Sequence, residues 1–188
     1  MAGIDDIAVG PVNLRRIGKM WTGGEMMSIT IREMIKTDWE AVSGIYKEGI
    51  ETKTATFQQD VPEYAAWNRE HMKLCRFVAI NGEGEIVGWT ALTPVSTRCV
   101  YEGVAEVSVY VSSHVKGRGI GKALLLHLIE ASEEAGIWTL QSSIISTNKA
   151  SIRLHERCGF RFIGYREKIA RDMDGIWQNV VLLERRTK

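Results

Sequence analysis

The stretch Val109-Tyr110-Val111-Ser112-Ser113-His114-Val115-Lys116-Gly117-Arg118-Gly119-Ile120-Gly121-Lys122-Ala123-Leu124-Leu125 constrains this chain more than any other. Its β-branched start favours a strand and its leucine-rich end favours an apolar helix. Between them, glycines at 117, 119 and 121 let the backbone turn tightly and come close to a ligand, because no Cβ intervenes. The start of a helix offers free N–H groups and the positive end of the helix dipole, both of which favour an anion. Lys116, Arg118 and Lys122 add positive charge at the same place. The segment therefore reads as a site for a phosphate-bearing ligand, with a ligand-free turn as the plain alternative. A nucleoside-triphosphate loop needs Ser or Thr after Gly-Lys, and Ala123 stands there instead. A dinucleotide loop needs G-x-G-x-x-G in an opening βαβ unit, whereas these glycines run G-x-G-x-G far along the chain.

The rest of the chain supplies one domain around this loop. Its 188 residues suffice for a sizeable core. A net charge of +1 leaves no global field for nucleic acid or an anionic membrane, so any anion site is local. No apolar run approaches the ~20 residues of a membrane span. Three cysteines, an odd number without metal spacing, point to a reducing cytoplasm, and no metal is expected. Residues 1–26 are broken by Gly3, Gly10, Pro11, Gly18, Gly23 and Gly24, and are expected to form a flexible extension before a compact domain at 27–188.

Alternation predicts strands at 28–34, 76–80, 86–95, 104–112, 138–146, 160–169 and 175–184. Helices are predicted after a Thr37/Glu40 capping box, over 62–73 with Pro62 at the first helical position, over 119–135, and from Asn148 to just before Gly159. With no repeats and no linker, this is a single α/β domain of about seven strands and about four helices.

Two segments carry a family resemblance. Lys116-Gly117-Arg118-Gly119-Ile120-Gly121 resembles the Arg/Gln-x-x-Gly-x-Gly/Ala pyrophosphate loop of the GNAT N-acetyltransferase superfamily, with Lys in the first basic position. Downstream, Asn148-Lys149-Ala150-Ser151-Ile152-Arg153-Leu154-His155-Glu156-Arg157-Cys158-Gly159-Phe160 is similar to its motif Asn-x-x-Ala-x-x-Leu-Tyr-x-x-x-Gly-Phe, with His155 at the Tyr position. Thr54-Ala55-Thr56-Phe57, Glu106-Val107-Ser108-Val109-Tyr110-Val111 and Asp174-Gly175-Ile176-Trp177 narrow the resemblance to the phosphinothricin / methionine sulfoximine N-acetyltransferase group, over roughly 28–186. The resemblance implies a mixed, mostly antiparallel sheet, acetyl-CoA as cosubstrate, a homodimer, and acetylation of the α-amine of small amino-acid-like toxins, hence a resistance role. Two departures fall where substrate is expected. Glu102 and Gly103 replace a basic and an aromatic residue, and Gln178-Asn179 replaces Leu-Asp after Trp177.

An α-ammonium must lose a proton before it can attack a thioester, so a base is needed. Period two puts Glu106, Ser108 and Tyr110 on one strand face, and Glu106 is the candidate base; a solvated carboxylate is the alternative. A main-chain N–H of the 109–111 strand is the expected oxyanion donor, and Val109, Tyr110 and Val111 are expected to pair with the cofactor. Lys116, Gly117, Arg118, Gly119, Ile120, Gly121 and Lys122 are expected to hold its phosphates, with Asn148 and Ser151 also in contact. His155 is the candidate proton donor to the leaving thiolate, or else a helix-rim histidine. Phe57, Cys99, Val100, Tyr101 and Trp177 join Glu106 as expected substrate contacts, with core packing equally open for Phe57, Tyr101 and Trp177. A protein N-acetyltransferase and a non-catalytic CoA-binding module are the competing functions.

Overall fold

The computed structural model describes residues 15–22 and 25–187, with side chains from Ser28 to Thr187. Eight strands and four helices follow one another as β1 (Arg15–Thr22), β2 (Glu25–Glu33), α1 (Trp39–Glu51), α2 (Tyr64–Glu70), β3 (Phe77–Ile80), β4 (Ile86–Pro94), β5 (Val104–Val111), α3 (Ile120–Glu134), β6 (Thr139–Ile145), α4 (Lys149–Arg157), β7 (Arg161–Arg171) and β8 (Trp177–Arg186). The strands form one sheet in the order β1-β2-β3-β4-β5-β6-β8-β7. Every pairing is antiparallel except β5 with β6. The mixed, mostly antiparallel α/β sheet expected from the sequence is present, extended by β1. Strands β1 and β2 carry the sheet back into the segment assigned to an extension, while residues 1–14, 23 and 24 of that segment lie outside the described residues.

Alternation along the strands sorts the core onto two faces. Phe77 and Ala79 join Leu124, Leu125 and Leu128 of α3 in the larger cluster. Val78, Trp89 and Ala91 face the other way, onto Val42, Ile45 and Tyr46 of α1 and Trp67 of α2. Each fully buried leucine of α3 contributes roughly 1.5–3 kcal/mol of burial free energy. Helix α3 thus covers one face and α1 with α2 the other.

Two helix starts depart from the sequence expectation. Thr37 does not cap α1. Residues 36–38 form a 3-10 turn and the helix begins at Trp39. The Asp38 carboxylate decides this, because it accepts from the Ile35 N–H at 2.9 Å and takes both Arg32 guanidinium nitrogens at 2.6 and 2.8 Å. Helix α2 is shorter than 62–73, with extended residues Glu63 and His71 at its ends. The Arg76 guanidinium takes carbonyl oxygens that a longer helix would use, donating to that of His71 at 2.6 Å and that of Asn68 at 3.1 Å.

One irregularity of the sheet positions the site. Strands β5 and β6 pair over only three residues, ending at Glu106 opposite Gln141. Beyond that point β5 continues beside β4 to Val111, and β6 continues beside β8 to Ile145. The two strands part, and a gap opens in the middle of the sheet. The β4–β5 register is unbroken from Ala105 to Val111, so the facing inferred from period two holds along this stretch.

Candidate active site

The Ser112 N–H donates to the Val87 carbonyl of β4 at 2.9 Å. Strand geometry then turns the backbone groups of Tyr110 and Ser108 toward β4, and those of Val109 and Val111 into the gap. No strand among the described residues pairs with β5 there. An extended ligand in the gap meets a row of main-chain donors and acceptors, as an added strand would.

The gap broadens into a cavity of about 570 Å³. Its floor is Val109, Tyr110 and Val111, and one wall is Val115, Lys116, Gly117, Gly119, Ile120, Gly121 and Lys122. Gly119 precedes α3 at φ 78°, and Gly117 has φ 77°, a left-handed backbone that side-chain-bearing residues rarely adopt. This turn aims the loop at the α3 N-terminus, where the first N–H groups lack helical partners. The opposite wall comes from α4 and includes Asn148, Ser151, Arg153 and Arg157. Lys116, Lys122, Arg153 and Arg157 line the cavity, and no acidic residue does. A pyrophosphate-bearing ligand fits this chemistry. Of the residues expected to bind the cofactor, all but Arg118 line the cavity. Arg153 and Arg157 were missed by motif reading, although basic residues four apart on an amphipathic helix share one face.

Asn148 does two tasks. Its Oδ1 accepts from the Ser151 N–H at 3.1 Å, capping α4, and its Nδ2 donates to the Thr54 carbonyl at 3.2 Å. The second bond ties α4 to the segment after α1, bringing Thr54 and Ala55 over β5. Gly49, Thr52, Thr54 and Ala55 line the same cavity, contacts the cofactor motifs do not encode.

A second cavity of about 250 Å³ adjoins the first. The two share Ala55, Val109, Tyr110, Asn148 and Ser151, which form the neck between them. Glu106, Phe57, Thr56, Ser108, Ser142, Ser143 and His155 line the smaller chamber. Glu106 stands at the point where β5 and β6 part, and its Oε1 accepts from the Ser143 N–H at 3.1 Å. Cys99, Val100, Tyr101 and Trp177 do not line either cavity; they are exposed, Val100 at 66% and Trp177 at 48%.

His155 is 1% exposed, and its Nδ1 lies 2.9 Å from the Ser151 carbonyl oxygen. A carbonyl only accepts, so Nδ1 carries the hydrogen. Burial pushes the imidazole below its ordinary pKa, outweighing the Ser151 bond, which acts the other way. The ring is neutral at pH 7, and Nε2 holds a lone pair without a hydrogen-bond partner among the described residues. The sequence reading of His155 as a ready proton donor meets the opposite polarity here, because a neutral ring must first take up a proton at Nε2.

Residues 37–160 match the acetyltransferase (GNAT) family. The chain belongs to that family. It is 29% identical to the L-methionine sulfoximine/L-methionine sulfone acetyltransferase of Pseudomonas aeruginosa, over 84% of this chain and 94% of the relative. It is 30% identical to the phosphinothricin N-acetyltransferase of Alcaligenes faecalis, over 83% of this chain and 81% of the relative. A crystal structure of a GNAT superfamily phosphinothricin acetyltransferase from Sinorhizobium meliloti in complex with acetyl-CoA superposes with a TM-score of 0.77 at 25% identity, covering 84% of this chain and 88% of that one. This GNAT chain is an N-acetyltransferase, and acetyl-CoA is its cosubstrate. Among its described residues, no group of three or more His, Cys, Asp or Glu is placed to hold a metal, and no helix is long and apolar enough to cross a membrane.

Proposed function

We propose that this GNAT enzyme acetylates the α-amine of a small amino-acid-like substrate of the phosphinothricin or methionine sulfoximine type, by direct transfer with Glu106 as general base. The observation that carries the reading is the junction of the two cavities, with a basic, loop-walled chamber on one side and a small chamber holding Glu106 on the other. The cosubstrate supplies an acetyl thioester. Lys116, Lys122 and the loop amides would hold its phosphates, and the free edge of Val109 and Val111 would hold its extended arm. Glu106, directly or through a water, takes the proton that keeps the ammonium from attacking. An N–H of the 109–111 strand stabilises the negative charge on the carbonyl oxygen. His155 can return a proton to the thiolate only after its own Nε2 is protonated.

The acceptor side supports a homodimer. Val100, Tyr101 and Trp177 are exposed, and so are Phe162, Ile163, Tyr165, Ile169 and Ile176 of the β7–β8 hairpin. Exposed apolar side chains of this kind suit a second subunit, against which Cys99, Val100, Tyr101 and Trp177 would become pocket walls. The reading includes a cytoplasmic location and a role in resistance to such toxins.

The test is acetyl-CoA turnover by the purified protein with phosphinothricin, methionine sulfoximine and methionine sulfone. Acetylation of at least one is expected, and acetylation of none would remove the substrate assignment.

A further inference from the structure

Glu48, on α1, lines neither cavity and has no part in the chemistry above. Its carboxylate nevertheless reaches the end of β5. Oε2 accepts from the Ser113 N–H at 2.6 Å, and the Ser112 hydroxyl lies 3.0 Å from Oε1 and 3.1 Å from Oε2. Ser112 Oγ is also 2.8 Å from His114 Nδ1. A serine, a histidine and an acid in contact invite comparison with a nucleophile's triad. The wiring excludes it, because the acid bonds to the serine instead of orienting the imidazole, and Ser112 is 2% exposed.

Counting hydrogens fixes the direction of the cluster. The Ser112 hydroxyl has one hydrogen and an ionised carboxylate only accepts, so the hydroxyl donates to Glu48. His114 Nδ1 then donates to Ser112 Oγ. The Ser113 main chain donates to Glu48 as well, so every bond of the cluster runs toward that carboxylate. Burial raises the Glu48 pKa, but the bonds from Ser113 and Ser112 outweigh it and hold the group below its ordinary value.

The three gripped residues, Ser112 to His114, lie between the last residue of β5 and the loop that begins at Lys116. The far end of that loop is fixed by α3. Its near end is otherwise held by the Ser112 N–H bond to the Val87 carbonyl and by Val115, whose side chain is buried in the core, and neither fixes the Ser112 side chain or the Ser113 main chain. Helix α1 is a firm base for the grip, because Val42, Ile45, Tyr46 and Ile50 are all buried.

We propose that Glu48 is a positioning residue for the phosphate loop: it fixes where Lys116–Gly121 leaves the sheet, and so sets the affinity for the diphosphate end of acetyl-CoA. This rests on acetyl-CoA occupying the larger cavity. It predicts an effect that follows the phosphates and spares the thioester.

The experiment compares acetyl-CoA with S-acetylpantetheine, which carries the same thioester without the diphosphate, and measures CoA binding by calorimetry. Glu48→Gln keeps the side-chain length but loses the charge and one acceptor oxygen. CoA Kd and acetyl-CoA KM should each rise about tenfold, with kcat within about twofold. The kcat/KM for S-acetylpantetheine should stay within about twofold of wild type. Ser112→Ala removes one donor to Glu48 and leaves the Ser113 bond, so it should weaken CoA by a smaller factor, about threefold. It carries the test alone if Glu48→Gln does not fold. Unchanged CoA affinity, or an equal loss with both acetyl donors, overturns the assignment. A wild-type protein that binds no CoA would overturn the acetyl-CoA reading itself, and this one with it.

Discussion

Helix α1 holds two glycines whose replacement by alanine should have opposite effects. An alanine in a helix interior is favoured over glycine by about 0.5–1 kcal/mol, because less backbone entropy is lost on folding. At Gly44 an added Cβ meets nothing within 4 Å, so Gly44→Ala should gain that amount. At Gly49 the same Cβ would lie 2.6 Å from Cδ1 and Cε1 of Tyr110. Carbon atoms prefer roughly 3.5–4.0 Å, so the ring has to retreat by about 1 Å. The ring is hemmed in by Trp89, stacked at 4.7 Å between centroids, and by Tyr46 at 4.9 Å. Overpacking of this kind costs about 1–3 kcal/mol, so with the helix gain set against it Gly49→Ala should lose up to about 2 kcal/mol net. Both carry the same helix gain, so the two variants should differ by the overpacking cost, about 1–3 kcal/mol. Because Tyr110 lines the neck between the cavities, a displaced ring should also raise the KM for acetyl-CoA. Urea unfolding of both variants, read by tryptophan fluorescence and far-UV dichroism, gives the sign directly. If Gly49→Ala is as stable as Gly44→Ala and binds CoA normally, the close contact between α1 and Tyr110 has been misjudged.

Three further outcomes follow from the site and the core. Glu106→Gln should lower kcat by about 10²- to 10⁴-fold with little change in CoA affinity, and unchanged turnover would remove Glu106 as base. Burial lowers the pKa values of His71 and His155, so the unfolded chain takes up protons first as pH falls. Stability should therefore be intact above the ordinary histidine value and decline below it, toward the lowered folded values. Each histidine sets a slope of at most about 1.4 kcal/mol per pH unit, and His155→Phe should flatten the curve in urea titrations between pH 7.5 and 5.5. Finally, burial raises the Cys75 thiol to about 11 and also raises Cys158, whereas Cys99 is exposed. A thiol reagent on the native protein should modify Cys99 alone within minutes, as peptide mapping would read.

What could be read from the sequence was chemistry written in contiguous residues. The glycine loop and the Asn148–Phe160 helix announced themselves because an anion site at a helix start and a side-chain cap are local events. The facing of Glu106 followed from period two, since the β4–β5 register runs without a bulge. What escaped was set by partners distant in sequence. Thr37 lost the cap of α1 because Asp38 had found Arg32. The tautomer of His155 depends on its bond to the Ser151 carbonyl, which no residue pattern encodes. Glu48 looked like any helix-surface acid until β5 ended beside it. Cys99, Val100, Tyr101 and Trp177 carry family-like positions but line neither of the two cavities described. Motif reading placed them by analogy, and the walls they would form depend on what covers an exposed surface.

The parting of β5 and β6 has a consequence for how such a protein survives in a crowded cell. An unpaired strand edge is ordinarily a hazard, because another chain can add to it and begin an aggregate. Here the free edge lies inside the sheet, with β6 and α4 on one side and the loop after α1 above it, so only something slender can enter. A whole polypeptide strand with neighbours of its own is too broad for the slot. The protein can thus leave main-chain groups of Val109 and Val111 unsatisfied between turnovers without inviting association. It should also show its fastest amide exchange in the middle of the sheet, at these two residues, and slow exchange there once a ligand fills the slot.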